Sequence, residues 1–551
     1  MKIAIAQLNP HIGNFERNIS AITDKIKEAK EKDVDLVIFP EFSVPGYPPL
    51  DLLEHKSFID NCKQAVIEIA KQCKNIAAIV GSPSLNPAKT GKNLFNTAYF
   101  LSEGQIIFTV NKTLLPTYDI FDEYRYFESN TKFSVVNFKG KKIAITICED
   151  LWDQQLSESD FGRNSIYNIS PIKELSLQNP DFIINIAASP FVYSRIETKR
   201  NIFTSQAKKF KTPIIYVNQV GAQTELIFEG GSLVVNTEGK IVERLKYFKE
   251  DFKIIDSQEI ETGTPLPIIK DNITENIYYA LVMGLRDYFH KMNFGKAILG
   301  LSGGIDSAVS LAIASEALGK KNIKAFLLPS RYSSEHSITD AISLADNLQT
   351  DYNIVPIEQM FKDFKQSLKP LFRGLPDNTT EENIQARIRG VLLMAVSNKF
   401  GHILLNTSNK SEAAVGYGTL YGDMAGGLSV LGDVYKSEVY RLARFINRNK
   451  EIIPENTILK PPSAELKHDQ KDTDSLPDYE ILDDILFLYI EKQMSSDEIT
   501  KNGFDNKLVR KIIHLVNINE YKRYQAPPIL RISSKAFGAG RRMPLVARYN
   551  D

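Results

Sequence analysis

Apolar positions along the first half of the chain fall into short β-branched runs, Lys2–Ala6, Leu36–Phe39, Ala77–Val80, Ile143–Cys148, Phe182–Ala187, Ile214–Asn218 and Ser232–Asn236. Their length and composition predict buried strands. Amphipathic stretches at Asn18–Lys30 and Phe58–Lys74 predict helices between some of them, and Asn236–Gly239 reads as a hairpin turn, so a mixed α/β sandwich is expected. From Thr274 a helix-like stretch leads into a strand at Lys296–Leu301, a Gly-rich turn, a helix at Ser307–Leu318 and a strand at Ile323–Leu328. Further strands at Asn353–Pro356 and His402–Asn406, with helical stretches between, predict a parallel sheet wound on both faces. Between the halves, residues 251–270 carry mixed charge, Pro265 and Pro267 without apolar periodicity. Domains at 1–250 and 271–551 joined by that linker are therefore expected.

The 551-residue length agrees with two domains, since single cores are usually built from roughly 100–150 residues. Lys plus Arg and Asp plus Glu balance at 67 each, so no basic excess predicts nucleic acid or an anionic membrane as partner. Three cysteines do not suit a disulfide framework, and no apolar run approaches the ~20 residues needed to cross a bilayer. The first ten residues alternate like a strand rather than a signal peptide, and a soluble cytoplasmic protein is expected.

Cys148 follows directly on a strand and precedes Glu149, Asp150 and Trp152. A thiol nucleophile needs a base and a fixed positive charge for the oxyanion. Glu41 closes the strand Leu36–Phe39 through Pro40, and Lys112 stands in Val110–Pro116 ahead of Tyr118 and Phe121–Phe127. Taken together these segments, with Ala188–Phe191 and Val217–Gly221, resemble the nitrilase-like glutaminases over roughly residues 1–250. The resemblance implies Glu41, Lys112 and Cys148 as a catalytic triad for amide hydrolysis, with Tyr118, Ser189 and Arg195 binding glutamine. One departure is Gly221–Ala222–Gln223–Thr224–Glu225, where the family commonly has Gly-Gly-Gln-Asp-Glu.

In the second half Leu301–Ser307, Leu-Ser-Gly-Gly-Ile-Asp-Ser, lies between strand and helix. Its glycines permit close backbone approach and the helix N-terminus offers free N–H groups, so the turn can cradle an anion. It lacks a Walker lysine and resembles the pyrophosphate loop of the ATP pyrophosphatases. Thr407–Glu412 just beyond the strand His402–Asn406, Pro329–Ser337, Glu382–Arg389, Tyr421–Asp423, Tyr435–Lys436 and Pro462–Leu466 extend the resemblance to the NAD synthetase subgroup. Joined to the first half, it is to the two-domain glutamine-dependent NAD synthetases. That likeness implies ATP held by Ser302, Gly303, Gly304, Asp306, Ser307 and Thr407, and Mg²⁺ by Asp306 and Glu412. It further implies deamido-NAD⁺ contacts at Asn383, Arg387, Asp423 and Lys436, ammonia passed between the sites, and a homo-oligomer. Ser429–Val430 departs from the Asn-Pro of relatives, and the basic residues Lys522, Arg523, Arg541 and Arg542 are expected to contact substrate or a neighbouring subunit. The rival reading is an amidoligase of the same group acting on another carboxylate.

Overall fold

The computed structural model describes residues 1–153, 156–159, 162–267, 270–468, 470, 472–474 and 476–549. The backbone divides into two compact units, Met1–Asp271 and Asn272–Asp551.

The first unit is built on two six-stranded sheets. One runs Asp251–Asp256, Lys2–Gln7, Leu36–Ile38, Ala77–Leu85, Leu94–Ser102 and Gln105–Asn111; the other runs Ile241–Arg244, Leu233–Val235, Ile214–Asn218, Phe182–Ala187, Lys141–Ile147 and Val136–Phe138. Alternation along Lys2–Gln7 explains the layering. Ile3 and Ile5 join Ile145, Ile184 and Val217 in the core between the sheets, whereas Ala4 and Ala6 face Ile22, Ile26, Val66 and Ile69 of the helices Phe15–Glu31 and Lys56–Gln72. The first helix starts where Asn14 accepts from Arg17 N–H at 3.2 Å, and buries residues 18, 22, 26 and 29 at helical spacing. The expected sandwich is present.

The linker expectation needs correcting at its start. Asp251–Asp256 pairs antiparallel with Lys2–Gln7, with Phe252 and Ile254 turned to the helix-side core and Ile255 to the core between the sheets. The charges at Asp251, Lys253 and Asp256 hid a six-residue alternation that an edge strand tolerates. A short helix, Glu259–Thr262, follows, and residues 268 and 269 lie outside the described residues.

The second unit carries a five-stranded parallel sheet in the order Asp351–Ile354, Ile323–Leu327, Ala297–Gly300, Ile403–Asn406 and Leu428–Ser429. The expected strand at Asn353–Pro356 thus begins two residues earlier and ends at Ile354. Helices Glu358–Phe372 and Thr379–Phe400 cover one face through Phe361, Ile384 and Ile388 against Ile298, Phe326 and Leu404. Ile305–Leu318, buried around almost its whole circumference, lies against the sheet with Ile273–Lys291 and Lys436–Ile446 packed on it. The winding direction reverses between Ala297–Gly300 and Ile403–Asn406, so a crevice opens at the carboxyl ends of these two strands. No helix among the described residues is long and apolar enough to cross a membrane.

Candidate active site

In the first unit the strand Lys141–Ile147 delivers Cys148 into a tight turn, Cys148–Leu151, with Cys148 at φ 44°. A β-carbon residue in the left-handed region is strained and persists only where its surroundings hold it. Asp150 does much of that holding. Its Oδ2 accepts from Ile147 N–H at 3.0 Å, and its Oδ1 from the N–H groups of Thr113 and Leu114 at 2.9 Å each. One buried carboxylate therefore ties the residue before Cys148 to the two residues after Lys112.

Lys112 follows the strand Gln105–Asn111 and is buried, its Nζ 2.9 Å from Glu41 Oε1 and 2.8 Å from Glu123 Oε1. Glu41 Oε1 also accepts from Asn96 Nδ2 at 2.7 Å, and its Oε2 from Ala188 N–H at 2.9 Å. Glu123 accepts from the Tyr47 hydroxyl at 2.9 Å. Burial lifts Glu123 to about 7 although Lys112 opposes it. Burial by itself would lower Lys112, but Glu123 and Glu41 reverse this and hold its ammonium well charged. Burial, reinforced by the Glu41 charge, pushes the Cys148 thiol well up, so it rests as a thiol.

Tyr118 and Tyr167 both donate to Glu149 Oε1 at 2.8 Å. Burial raises the Glu149 carboxyl while the two tyrosines, Lys112 and Arg195 counteract it. Ser189 is buried, its N–H donating to Asn218 Oδ1 at 2.9 Å, and Arg195 caps the helix Ile196–Phe210 half-exposed. Thr224, in the departing loop, occupies the turn of a hairpin between Val220–Gln223 and Leu226–Glu229 at φ 56°. Aspartate suits that conformation better than β-branched threonine.

In the second unit the crevice encloses a cavity of about 310 Å³ lined by Ser302, Gly304, Asp306, Ser307, Thr407, Glu412, Asp423 and Lys436, among others. Gly303 sits just behind it at φ 81°, where a β-carbon would meet Ser337 O at 2.2 Å. Ser307 Oγ donates to Gly304 O at 2.9 Å and pins the loop at the start of its helix. Lys436 Nζ hydrogen-bonds Asp306 Oδ2 and lies 3.2 Å from Glu412 Oε1, while Asn409 Nδ2 donates to Asp306 Oδ1 at 2.9 Å. Burial raises Glu412 to about 8 against the pull of Lys436. Burial likewise raises Asp423 to about 6, although Thr419 N–H donates to it at 2.6 Å.

Asn383 and Arg387 do not line this cavity. Asn383 Oδ1 accepts from Thr419 Oγ1 at 2.7 Å, and Arg387 is exposed with Nε donating to Leu420 O at 3.2 Å. Arg389, two residues on, lines it instead. Ser429, at the other departure, donates to Asn406 Oδ1 at 3.0 Å and closes the last strand pair. Sequence reasoning missed Asn96, Glu123 and Asp150, although Glu123 and Asp150 stood in segments already singled out. Nothing in sequence spacing brings residue 123 to residue 41.

These two constellations define a chain that pairs a carbon–nitrogen hydrolase unit with an ATP-binding synthase unit. The carbon-nitrogen hydrolase family model matches residues 2–261 and the NAD synthase model residues 277–526. The glutamine-dependent NAD(+) synthetase of Synechocystis sp. is 46% identical over 559 residues, covering 100% of this chain and 99% of that protein. That of Acinetobacter baylyi is 42% identical, covering 99% and 98%. A solved glutamine-dependent NAD+ synthetase from Acinetobacter baumannii, in complex with ADP, superposes with a TM-score of 0.77 at 39% identity over 99% of this chain and 98% of its own. The chain belongs to the glutamine-dependent NAD(+) synthetase family.

Proposed function

We propose that the chain makes NAD⁺ from deamido-NAD⁺, ATP and glutamine, releasing AMP, diphosphate and glutamate. The observation that carries this is the coexistence in one chain of a buried Glu41–Lys112 pair beside Cys148 and a nucleotide crevice with two carboxylates on one lysine. The unit Met1–Asp271 would act as glutaminase and the unit Asn272–Asp551 as synthetase.

Cys148 gives its proton to Glu41 as its sulfur attacks the glutamine side-chain carbonyl. Lys112 and a backbone N–H hold the oxyanion, whose charge is better matched by a preorganised ammonium than by water. Glu41 passes that proton to the departing nitrogen as the intermediate collapses, expelling ammonia and leaving a thioester. The regenerated Glu41 carboxylate then takes a proton from the water that attacks the thioester, and returns it to the Cys148 sulfur as glutamate is released. Glu123 shares Lys112 with Glu41, and so keeps the ammonium aimed when Glu41 becomes neutral. Tyr118, Ser189 and Arg195 receive glutamine's charged end, Arg195 through the carboxylate, with the Glu149 carboxylate suited to an ammonium.

In the second unit, Ser302 to Ser307 and Thr407 cradle the phosphates of ATP. The nicotinate carboxylate of deamido-NAD⁺ attacks the α-phosphate, diphosphate leaves, and ammonia displaces AMP from the acyl adenylate. Asp306 and Glu412 fit Mg²⁺. Both are hard oxygen donors already gathered around one cation, Lys436. Among the described residues no group of three His, Cys, Asp or Glu could enclose an ion, so phosphate oxygens and water would complete the shell. When bound, the ion would neutralise charge building on the phosphates. Lys436 would keep the two carboxylates together and face the phosphates, and Asn383, Arg387 and Asp423 are assigned to deamido-NAD⁺. The buried Asn409 and Lys436 hold Asp306 in register for this task.

The direct test mixes the protein with MgATP, deamido-NAD⁺ and amide-¹⁵N glutamine in excess unlabelled ammonium. Mass spectrometry should find NAD⁺, AMP and glutamate together, with ¹⁵N in NAD⁺ above its share of the bulk pool. Amidation of a different carboxylate in place of deamido-NAD⁺ would support the rival amidoligase.

A further inference from the structure

Lys410 belongs to the Thr407–Glu412 segment, yet it alone among Asn409–Glu412 carries a charge that turns away from the nucleotide crevice. Asn409 holds Asp306, Ser411 Oγ accepts from Lys436 N–H at 2.9 Å, and Glu412 meets Lys436 Nζ. The Lys410 side chain is fully buried and is not among the residues lining the cavity. Its Nζ lies 3.0 Å from both Asp433 Oδ1 and Glu491 Oε1, and donates to Ser533 Oγ at 2.7 Å and Lys535 O at 3.0 Å. The Tyr435 ring lies under it, 4.7 Å from its centroid.

The same carboxylates hold the segment that supplies those acceptors. Asp433 Oδ2 accepts from Ile532 and Ser533 N–H at 2.8 and 2.7 Å, and Asp433 Oδ1 from Ser533 Oγ at 2.7 Å. Glu491 Oε2 accepts from Ser534 Oγ at 2.6 Å. One ammonium, two carboxylates and the 532–535 backbone thus form a closed buried network. This segment lies beyond residue 526, where the NAD synthase match ends. A buried charge that loses one partner keeps its desolvation cost, so such a network transmits a small defect to whatever it holds. What it holds here is the turn that sets Asp306 and Glu412.

We propose that the segment 532–535 is a positioning strut of the synthetase site, acting through Lys410 on the turn Asn409–Glu412. This rests on the reading of Asp306 and Glu412 as the Mg²⁺–phosphate carboxylates. Lys410 itself touches no substrate. Ser533 is the cleanest probe, because its hydroxyl bridges Lys410 and Asp433 and its removal deletes no charge.

The test uses the full chain with Ser533→Ala, Lys410→Met and Lys410→Arg. Backbone hydrogen exchange is followed in a peptide covering 409–412, and the half-saturating Mg²⁺ concentration in ammonium-driven NAD⁺ synthesis. Ser533→Ala should speed exchange in that peptide on the order of tenfold, as expected for loss of a hydrogen bond to a charged group. It should raise the Mg²⁺ requirement severalfold, affect kcat at saturating Mg²⁺ less, and leave glutamine hydrolysis unchanged. Lys410→Arg should fall between Ser533→Ala and Lys410→Met. Wild-type exchange and Mg²⁺ dependence in Ser533→Ala would overturn the strut. So would a raised KM for ATP in Lys410→Met with exchange at 409–412 unaltered, the mark of a phosphate ligand. Should wild type make no NAD⁺, the functional reading fails, and the exchange arm still decides whether the segment holds the turn.

Discussion

Replacing Lys112 by Met keeps the length and most of the volume of the side chain but removes the one cation between Glu41 and Glu123. In wild type that ammonium sits 2.9 Å from one carboxylate and 2.8 Å from the other, all three side chains at most 5% exposed. Breaking a buried pair from one side costs about 3–5 kcal/mol, because the partners stay desolvated. For a unit of this size that corresponds to a melting-point loss of roughly 6–20 °C. The loss depends on pH in a defined direction. Glu123 is already raised from 4.5 to about 7 by burial, and without Lys112 it rises further. A carboxyl whose folded pKa is raised contributes stability that is present below its unfolded pKa and lost as pH rises through the folded one. The deficit of Lys112→Met should therefore be smallest near pH 5 and grow toward pH 8. Catalytically, loss of an oxyanion partner costs ~10²–10³ in rate, or about 2.7–4 kcal/mol. Glutamate release from glutamine should fall by that factor, while NAD⁺ synthesis from ammonium at a temperature below the new transition should persist. The assay is glutamate release at pH 6, 7 and 8 beside thermal unfolding at the same values. A glutaminase rate within threefold of wild type, or a stability deficit that shrinks as pH rises, would refute the assignment of Lys112 and its carboxylate partners.

Cys148→Ala should abolish glutamine-driven NAD⁺ synthesis and leave ammonium-driven synthesis largely intact; equal loss with both nitrogen sources removes Cys148 from ammonia release. Asp306→Asn and Glu412→Gln should each suppress synthesis from either source while basal glutamine hydrolysis survives, and normal Mg²⁺ dependence in either variant would show that its carboxylate does not serve the metal. Asp150→Asn should lower glutaminase kcat about tenfold or more, because an amide cannot accept three N–H bonds with both atoms, and slow alkylation of Cys148 should mark the displaced turn. An alkylation rate and kcat at wild-type values would dismiss the clamp. Gly303→Ala should fail in ATP-dependent synthesis, since its β-carbon would meet the Ser337 carbonyl; ammonium-driven activity near wild type would show that the loop can shift.

Much of the local structure follows from short-range physics and was readable along the chain. Runs such as Phe182–Ala187 and Ile214–Asn218, buried throughout, have no alternative to a central strand. The Gly-rich turn at 302–304 needs glycine where φ is positive and a helix start beyond it, and both appear in the sequence. Glu41, Lys112 and Cys148 were legible because each stands at or beside a strand end within a segment that resembles a known family. Asp251–Asp256 was not, because its place depends on pairing with Lys2–Gln7, some 250 positions away.

The sequence by itself determined the two units, their α/β class and the residue types at each centre. Only the tertiary structure decided which charges share partners. Residue 123 reaches the Lys112 ammonium, Asp150 joins two chain segments that no spacing relates, and Lys410 turns from the crevice toward Ser533 although Asn409 and Glu412 beside it reach Asp306 and Lys436. The physical reason is that hydrogen bonds and ion pairs become decisive once burial removes water as a competing partner. Which groups meet in that dry interior is set by sheet order and packing, and these depend on contacts between positions far apart in the chain.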